Sequence, residues 1–130
     1  MALSTSHRAS WLARVNADRE FALISRWTHV QFALRCGADT YRFKITPQRI
    51  EAIDAFAPDM PSFALHGTSA AWEDFSAPMP ASPNHHVLGM DRRRDDFSIA
   101  EGRHHFIQHL RVMTVALALM RGHQNEVNHG

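Results

Sequence analysis

A single cysteine, Cys36, leaves this chain unable to close an intramolecular disulfide, which fits a reducing compartment. No uninterrupted apolar run approaches the roughly 18 residues that a membrane-spanning helix requires, so stable membrane insertion is not expected. Met1 to Ser10 lacks the apolar central region of a secretory signal, and a cytoplasmic location is expected. Charge of either sign is also balanced away: 14 Lys and Arg stand against 13 Asp and Glu, a formal net charge of +1. That excludes the broad basic field that drives sequence-independent nucleic-acid binding. Serines 62, 69, 76 and 82 are scattered, none of them in a G-x-S-x-G elbow, so no nucleophile has a recognisable setting.

What is present belongs to an ordinary folded domain. A chain of 130 residues, 45% hydrophobic and 21% charged, can bury roughly two-thirds of its unfolded surface in one core. Residues 1–122 are expected to form a single domain and the polar stretch 123–130 a frayed tail. Ten histidines are the unusual component.

Along the chain, Ser10 to Ile24 reads as a helix with an imperfect apolar face, broken near Asn16 and Asp18, with Asp18 as a cap for the second piece. From Val30 the period becomes two: Val30, Phe32, Leu34 and Cys36 alternate with Gln31, Ala33 and Arg35, the pattern of a half-buried strand. Gly37-Ala38-Asp39 supplies a turn, and Tyr41, Phe43 and Ile45 alternate in a second strand. Ile50 to Phe56 is less regular, and Ser62 to His66 offers a further short strand. Thr68 or Ser69 can cap a helix bearing Trp72 and Phe75, ended by Pro78, Pro80 and Pro83. Asn84 is a candidate cap for a short piece holding Val87, Leu88 and Met90. Phe97 to Ile99 reads as a last strand, and Arg103 to Arg121 as one long closing helix with Phe106, Leu110, Met113, Leu117 and Met120 along one stripe. The fold class is α+β: an antiparallel sheet covered by helices.

Three groups of residues carry candidate chemistry. His105 and His109 stand at i, i+4 on the closing helix, a spacing that can chelate a metal, but Phe106 follows where a zincin has glutamate. Asp74, His85 and His86 could act as acid/base groups, a carboxylate orienting an imidazole. The run DRRRDD, Asp91 to Asp96, reads either as a solvated loop paired internally or as a small anion site at a pocket mouth. His85, His86, Arg92 and Arg93 are the rim residues on that second reading. The methionines, Trp72 and Phe75 fit a packed core or the wall of an apolar cavity equally well.

The order of these elements resembles the sterol carrier protein type 2 superfamily, in particular its small stand-alone bacterial members. The likeness rests on NADREFALISRWTHVQFALRCGADTYRFKI (Asn16 to Ile45), SFALHGTSAAWEDFSAP (Ser62 to Pro78), PMPASPNHHVLGM (Pro78 to Met90), DDFSIAEG (Asp95 to Gly102) and the closing helix. It covers about nine-tenths of the chain. Two departures stand out: Arg103 replaces a common aspartate, and TPQRI replaces the usual Asp-Gly hairpin.

The resemblance implies a five-stranded antiparallel sheet covered by helices, with a tunnel between them for a sterol, a steroid, a fatty acid or an acyl thioester. Carried over by position, Trp72, Phe75, Leu88, Met90, Leu110, Met113 and Leu117 would be ligand-binding residues, and no cofactor is implied. A hydrophobic small-molecule carrier is the leading expectation, serving a lipid- or steroid-metabolising enzyme, and Trp72→Ala is expected to weaken uptake without unfolding the domain. An enzyme or accessory subunit in the catabolism of a hydrophobic compound, using His85, His86 and Asp74, is the second. A protein that forms homodimers through an apolar face is the third.

Overall fold

A computed structural model describes residues 3–121. Ser4 caps the first helix, α1 (Thr5–Ala17), by accepting the His7 amide hydrogen, so the helix starts ahead of the expected Ser10. The break falls where the sequence places it. Asp18 ends α1 and caps α2 (Arg19–Ile24), its carboxylate accepting the Phe21 amide at 2.8 Å. The strands β1 (Val30–Cys36) and β2 (Asp39–Thr46) pair as an antiparallel hairpin, and β3 (Arg49–Ile53) continues it. Gln48, in the turn that replaces Asp-Gly, takes the left-handed conformation itself, at φ 65°.

Beyond β3 the antiparallel expectation fails. β4 (Ser62–Gly67) lies beside β1 and parallel to it, in register from Gln31↔Ser62 to Cys36↔Gly67. The five-stranded sheet is therefore mixed, in the order β3-β2-β1-β4-β5, with β5 (Phe97–Glu101) antiparallel to β4. A parallel neighbour must re-enter at the end where β1 began, so residues 54–61 cross back over the outer face of the sheet. Gln31 anchors that crossing: its side-chain amide donates to the Ala57 and Met60 carbonyls and accepts from the Ala57 amide. This explains why Gln31 and Ala33, expected to face solvent, are buried.

The inner face carries one aromatic row across three strands. Phe43, Phe32 and Phe63 lie side by side, with centroids 5.5 and 5.4 Å apart, and Trp11 and Phe106 meet its ends edge-on at 5.1 and 5.3 Å. Such contacts add to the burial of large apolar area.

The remaining helices complete the cover. They are α3 (Ser69–Phe75), α4 (Val87–Arg93), α5 (Arg103–Gln108) and α6 (Leu110–Ala118), followed by a 3₁₀ turn at Leu119–Arg121. Trp11 ties α1 to α6 through a 2.7 Å bond from its indole N–H to the Ala116 carbonyl. The expected single closing helix is thus two. His109 leaves helical geometry (φ −111°, ψ 24°) with its ring Nδ1 2.8 Å from the His105 carbonyl oxygen, a local side-chain contact that competes with the regular ladder.

Gly102 precedes α5 with φ 64°, and a Cβ there would run into the Ser62 carbonyl oxygen and the Phe63 backbone. Arg103, the departure next to it, donates to Asp91 at 2.7 Å. No helix among the described residues is long and apolar enough to cross a membrane. The expected frayed tail lies outside the described residues.

Candidate functional site

Thr68 starts the site by capping α3, its hydroxyl oxygen accepting the Ala71 amide hydrogen at 3.1 Å. The same hydroxyl donates to Asp96 at 2.7 Å, fixing the helix start against the strand β5. Ala71, Trp72 and Phe75 turn inward from α3 and are buried. Trp72 is wholly buried, edge-on to Phe75 and Phe97, with its indole N–H bonded to the Arg35 carbonyl oxygen at 2.8 Å. The space beside Trp72 is filled by these side chains, so Trp72 is a core residue in this state and not a free wall.

After α3 the chain runs through Pro78, Pro80 and Pro83 to His86 as a strap without helix or strand. Two arginines close its base. Arg94 donates to Asp74 Oδ2 at 2.8 Å, to Asn84 Oδ1 at 2.9 Å, and through two nitrogens to Asp96 at 2.7 and 3.0 Å. These carboxylates hold the Arg94 proton more tightly than usual, and the bonds from Arg94 and Thr68 keep Asp96 ionised far below the ordinary carboxylate range. Arg121, from the other end of the sequence, donates to the carbonyls of Phe75 (2.6 Å), Asn84 (3.4 Å) and His85 (3.2 Å). Its guanidinium lies over the Phe75 ring, 4.4 Å from the centroid.

Under the strap lies a cavity of about 30 Å³, room for a water molecule or two. Phe75, Val87, Phe106 and Leu117 give it apolar walls, and His85, His86 and Thr114 its polar ones. On the outer side, His85, His86, Arg92 and Arg93 gather with Ser82, Pro83 and Leu88 around an open groove of about 300 Å³. His86 lines both spaces.

The expected cap Asn84 does not serve α4, because Arg94 takes its side-chain oxygen. His86 is the cap: Nδ1 accepts the Leu88 amide hydrogen at 3.1 Å, and Nε2 lies 3.4 Å from the Thr114 hydroxyl. Burial, reinforced by the positive charges of His85 and Arg121, pushes the His86 pKa below the usual imidazole value. Burial likewise lowers that of Arg121.

The candidate residues therefore separate. Phe75 and Leu117 reach the cavity; Leu88 reaches the groove. Met90 and Met113 are buried in the core, and Leu110 packs partly buried against it. Asp74 is engaged by Arg94, not by an imidazole. His105 contacts Gln108 and lies tilted against the His104 ring, and His109 turns back on its own helix. Among the described residues no three His, Cys, Asp or Glu side chains converge as metal ligands would.

Arg121 and Thr114 carry no signal in the sequence that sets them apart from other residues of their helix, and the run DRRRDD marks Arg94 without distinguishing it from Arg92 and Arg93.

No known protein family matches the chain, and comparison with curated proteins returns no relative. Among solved structures the fold is similar to that of the conserved hypothetical protein TT1886 from Thermus thermophilus, described as a possible sterol carrier protein. The two superpose with a TM-score of 0.59 over 92% of this chain and 87% of the other, at 11% sequence identity. The likeness is one of fold.

Proposed function

We propose that this chain binds a hydrophobic small molecule beneath the 76–86 strap and carries or presents it to an enzyme of lipid or steroid metabolism. Sterols, steroids, fatty acids and acyl thioesters are the ligand classes in view. The observation that carries the proposal is the cavity walled by Phe75, Val87, Phe106 and Leu117 directly under a strap that is fastened by polar bonds and hardly by apolar packing. Met79, in the strap, is 91% exposed. The resemblance of fold to a possible sterol carrier supports the same reading.

A cavity of about 30 Å³ is too small for any such ligand, so uptake requires the strap to lift and Phe75 or its neighbours to move. A ligand that buries about 300 Å² of apolar surface gains about 7 kcal/mol, the same order as the few bonds to charged partners that hold the strap, about 1.5–3 kcal/mol each.

Native mass spectrometry of the purified full chain, followed by extraction with organic solvent, tests the proposal. A bound apolar mass, or stoichiometric uptake of a fluorescent fatty acid or sterol, is expected. Folded protein that carries nothing and takes up neither probe, even when Arg121→Ala loosens the strap, would overturn it.

A further inference from the structure

The run DRRRDD resolves into residues that have partners and residues that do not. Asp91 accepts from the Ile99 amide and from Arg103, and Asp96 accepts from Arg94 and Thr68. Asp95 lines a different depression, with Arg35 and His66. Every carboxylate of the run is thus committed or directed elsewhere. Arg92 and Arg93 are both exposed, and among the described residues neither has an acceptor. They meet His85 and His86 around the outer groove, whose lining includes no acidic residue.

The groove also has a fixed wall. A Cβ on Gly89 would lie 2.9 Å from the Pro83 carbonyl oxygen, so the strap rests on α4 at a distance that only glycine allows. Seated this way, the strap brings the two histidines of its end to the same opening as the two arginines of the helix.

We propose that this groove is an anion subsite for the polar end of the ligand, so that the cargo is an amphiphile with a carboxylate or phosphate headgroup and not a neutral sterol. The inference rests on the carrier reading for its apolar half. Two guanidiniums without intramolecular acceptors suit an oxyanion, which each can meet with a pair of N–H donors. A groove of about 300 Å³, open to solvent, has room for such a headgroup. His86 borders both spaces, which makes its side of the strap the passage by which the apolar part reaches the cavity.

Isothermal titration of the full chain with dodecanoate, dodecyl phosphate and dodecanol separates headgroup from tail, and NMR titration with methyl phosphate tests the headgroup alone. The anions are expected to bind at least about tenfold more tightly than the alcohol, equivalent to about 1.4 kcal/mol. Of the two, the tighter identifies the headgroup. Arg92→Ala combined with Arg93→Ala should remove that advantage and leave dodecanol binding within about twofold, because neither side chain supports the fold. Raising salt from about 50 to about 200 mM should weaken the anions alone.

Equal binding of anion and alcohol, or an unchanged double variant, would overturn the subsite. If dodecanol binds and methyl phosphate leaves the Arg92 and Arg93 side-chain resonances unmoved, the subsite falls and the carrier reading stands. If methyl phosphate moves them and no tailed ligand binds, the subsite stands and the carrier reading falls.

Discussion

The Arg121 guanidinium lies over the Phe75 ring, 4.4 Å from the centroid, and donates to the carbonyl oxygen of that same residue at 2.6 Å. One side chain from the last described turn therefore fixes both the inner wall of the cavity and the start of the strap above it. Replacing Arg121 by alanine should cost about 1–3 kcal/mol of stability. Hydrogen exchange should show faster opening of residues 76–86, with the sheet amides unaffected. Uniform acceleration across the whole chain would mean that Arg121 supports the fold at large and not the strap.

His86 supplies a pH dependence whose sign follows from its lowered pKa. The unfolded chain takes up the proton at a higher pH than the folded one, so His86 contributes fully to stability above its ordinary value of 6.5. That contribution is lost as pH falls from there through the lowered folded value. Protonation also removes the lone pair that accepts the Leu88 amide hydrogen. His86→Asn keeps a side-chain acceptor for the cap and deletes the titration. Melting curves between about pH 7.5 and about pH 5.5 should show a smaller loss of Tm for the variant than for the parent chain. Parallel curves would remove His86 from the acid response.

Trp72→Ala, expected from the sequence to leave the fold intact, should instead destabilise it by about 3–5 kcal/mol. The residue is fully buried, and its removal leaves a large void in the core and deletes the bond to the Arg35 carbonyl oxygen. Chemical denaturation measures this directly. A loss below about 1 kcal/mol would show that the indole is dispensable to packing and available to a ligand.

Gln48 and Gly102 should respond oppositely to exchange of side chain for none. Gln48 holds φ 65° at a position where its own side chain is exposed, so Gln48→Gly should stabilise by about 0.5–1 kcal/mol through relief of left-handed strain. Gly102→Ala adds strain at φ 64° and a clash with β4, and a loss above about 2 kcal/mol is expected. Thermal melts of both variants decide the pair.

Much of this architecture is legible because local chemistry and final environment agree. Asp18 is both a good cap and the break between two helices, and the alternation of Phe32, Leu34, Phe43 and Ile45 marks the inner face of the sheet. Alternation is blind, however, to strand direction. The same period-two pattern in β4 serves a parallel or an antiparallel neighbour, and only the crossing of residues 54–61, fastened by Gln31, distinguishes them. A single closing helix is suggested because the apolar stripe continues through His109 while the backbone does not.

At the site, His85, His86, Arg92 and Arg93 meet around one groove, but the pairing within DRRRDD could not be read from the chain. Three adjacent arginines are chemically alike. Their fates are set by where Asp74, Asn84 and Asp96 stand in space.

Both outer strands of the sheet have a backbone group occupied by a side chain. Asn16 exchanges two bonds with Ile50 on β3, and Asp91 accepts the Ile99 amide of β5 at 2.9 Å. Each edge is thereby guarded against addition of a foreign strand. The guard on β5 belongs to α4, the helix that also carries Arg92, Arg93 and the His86 cap. The contact that seats this helix is therefore the same one that keeps the sheet edge closed, and any displacement of α4 from β5 would expose the Ile99 amide to a foreign strand.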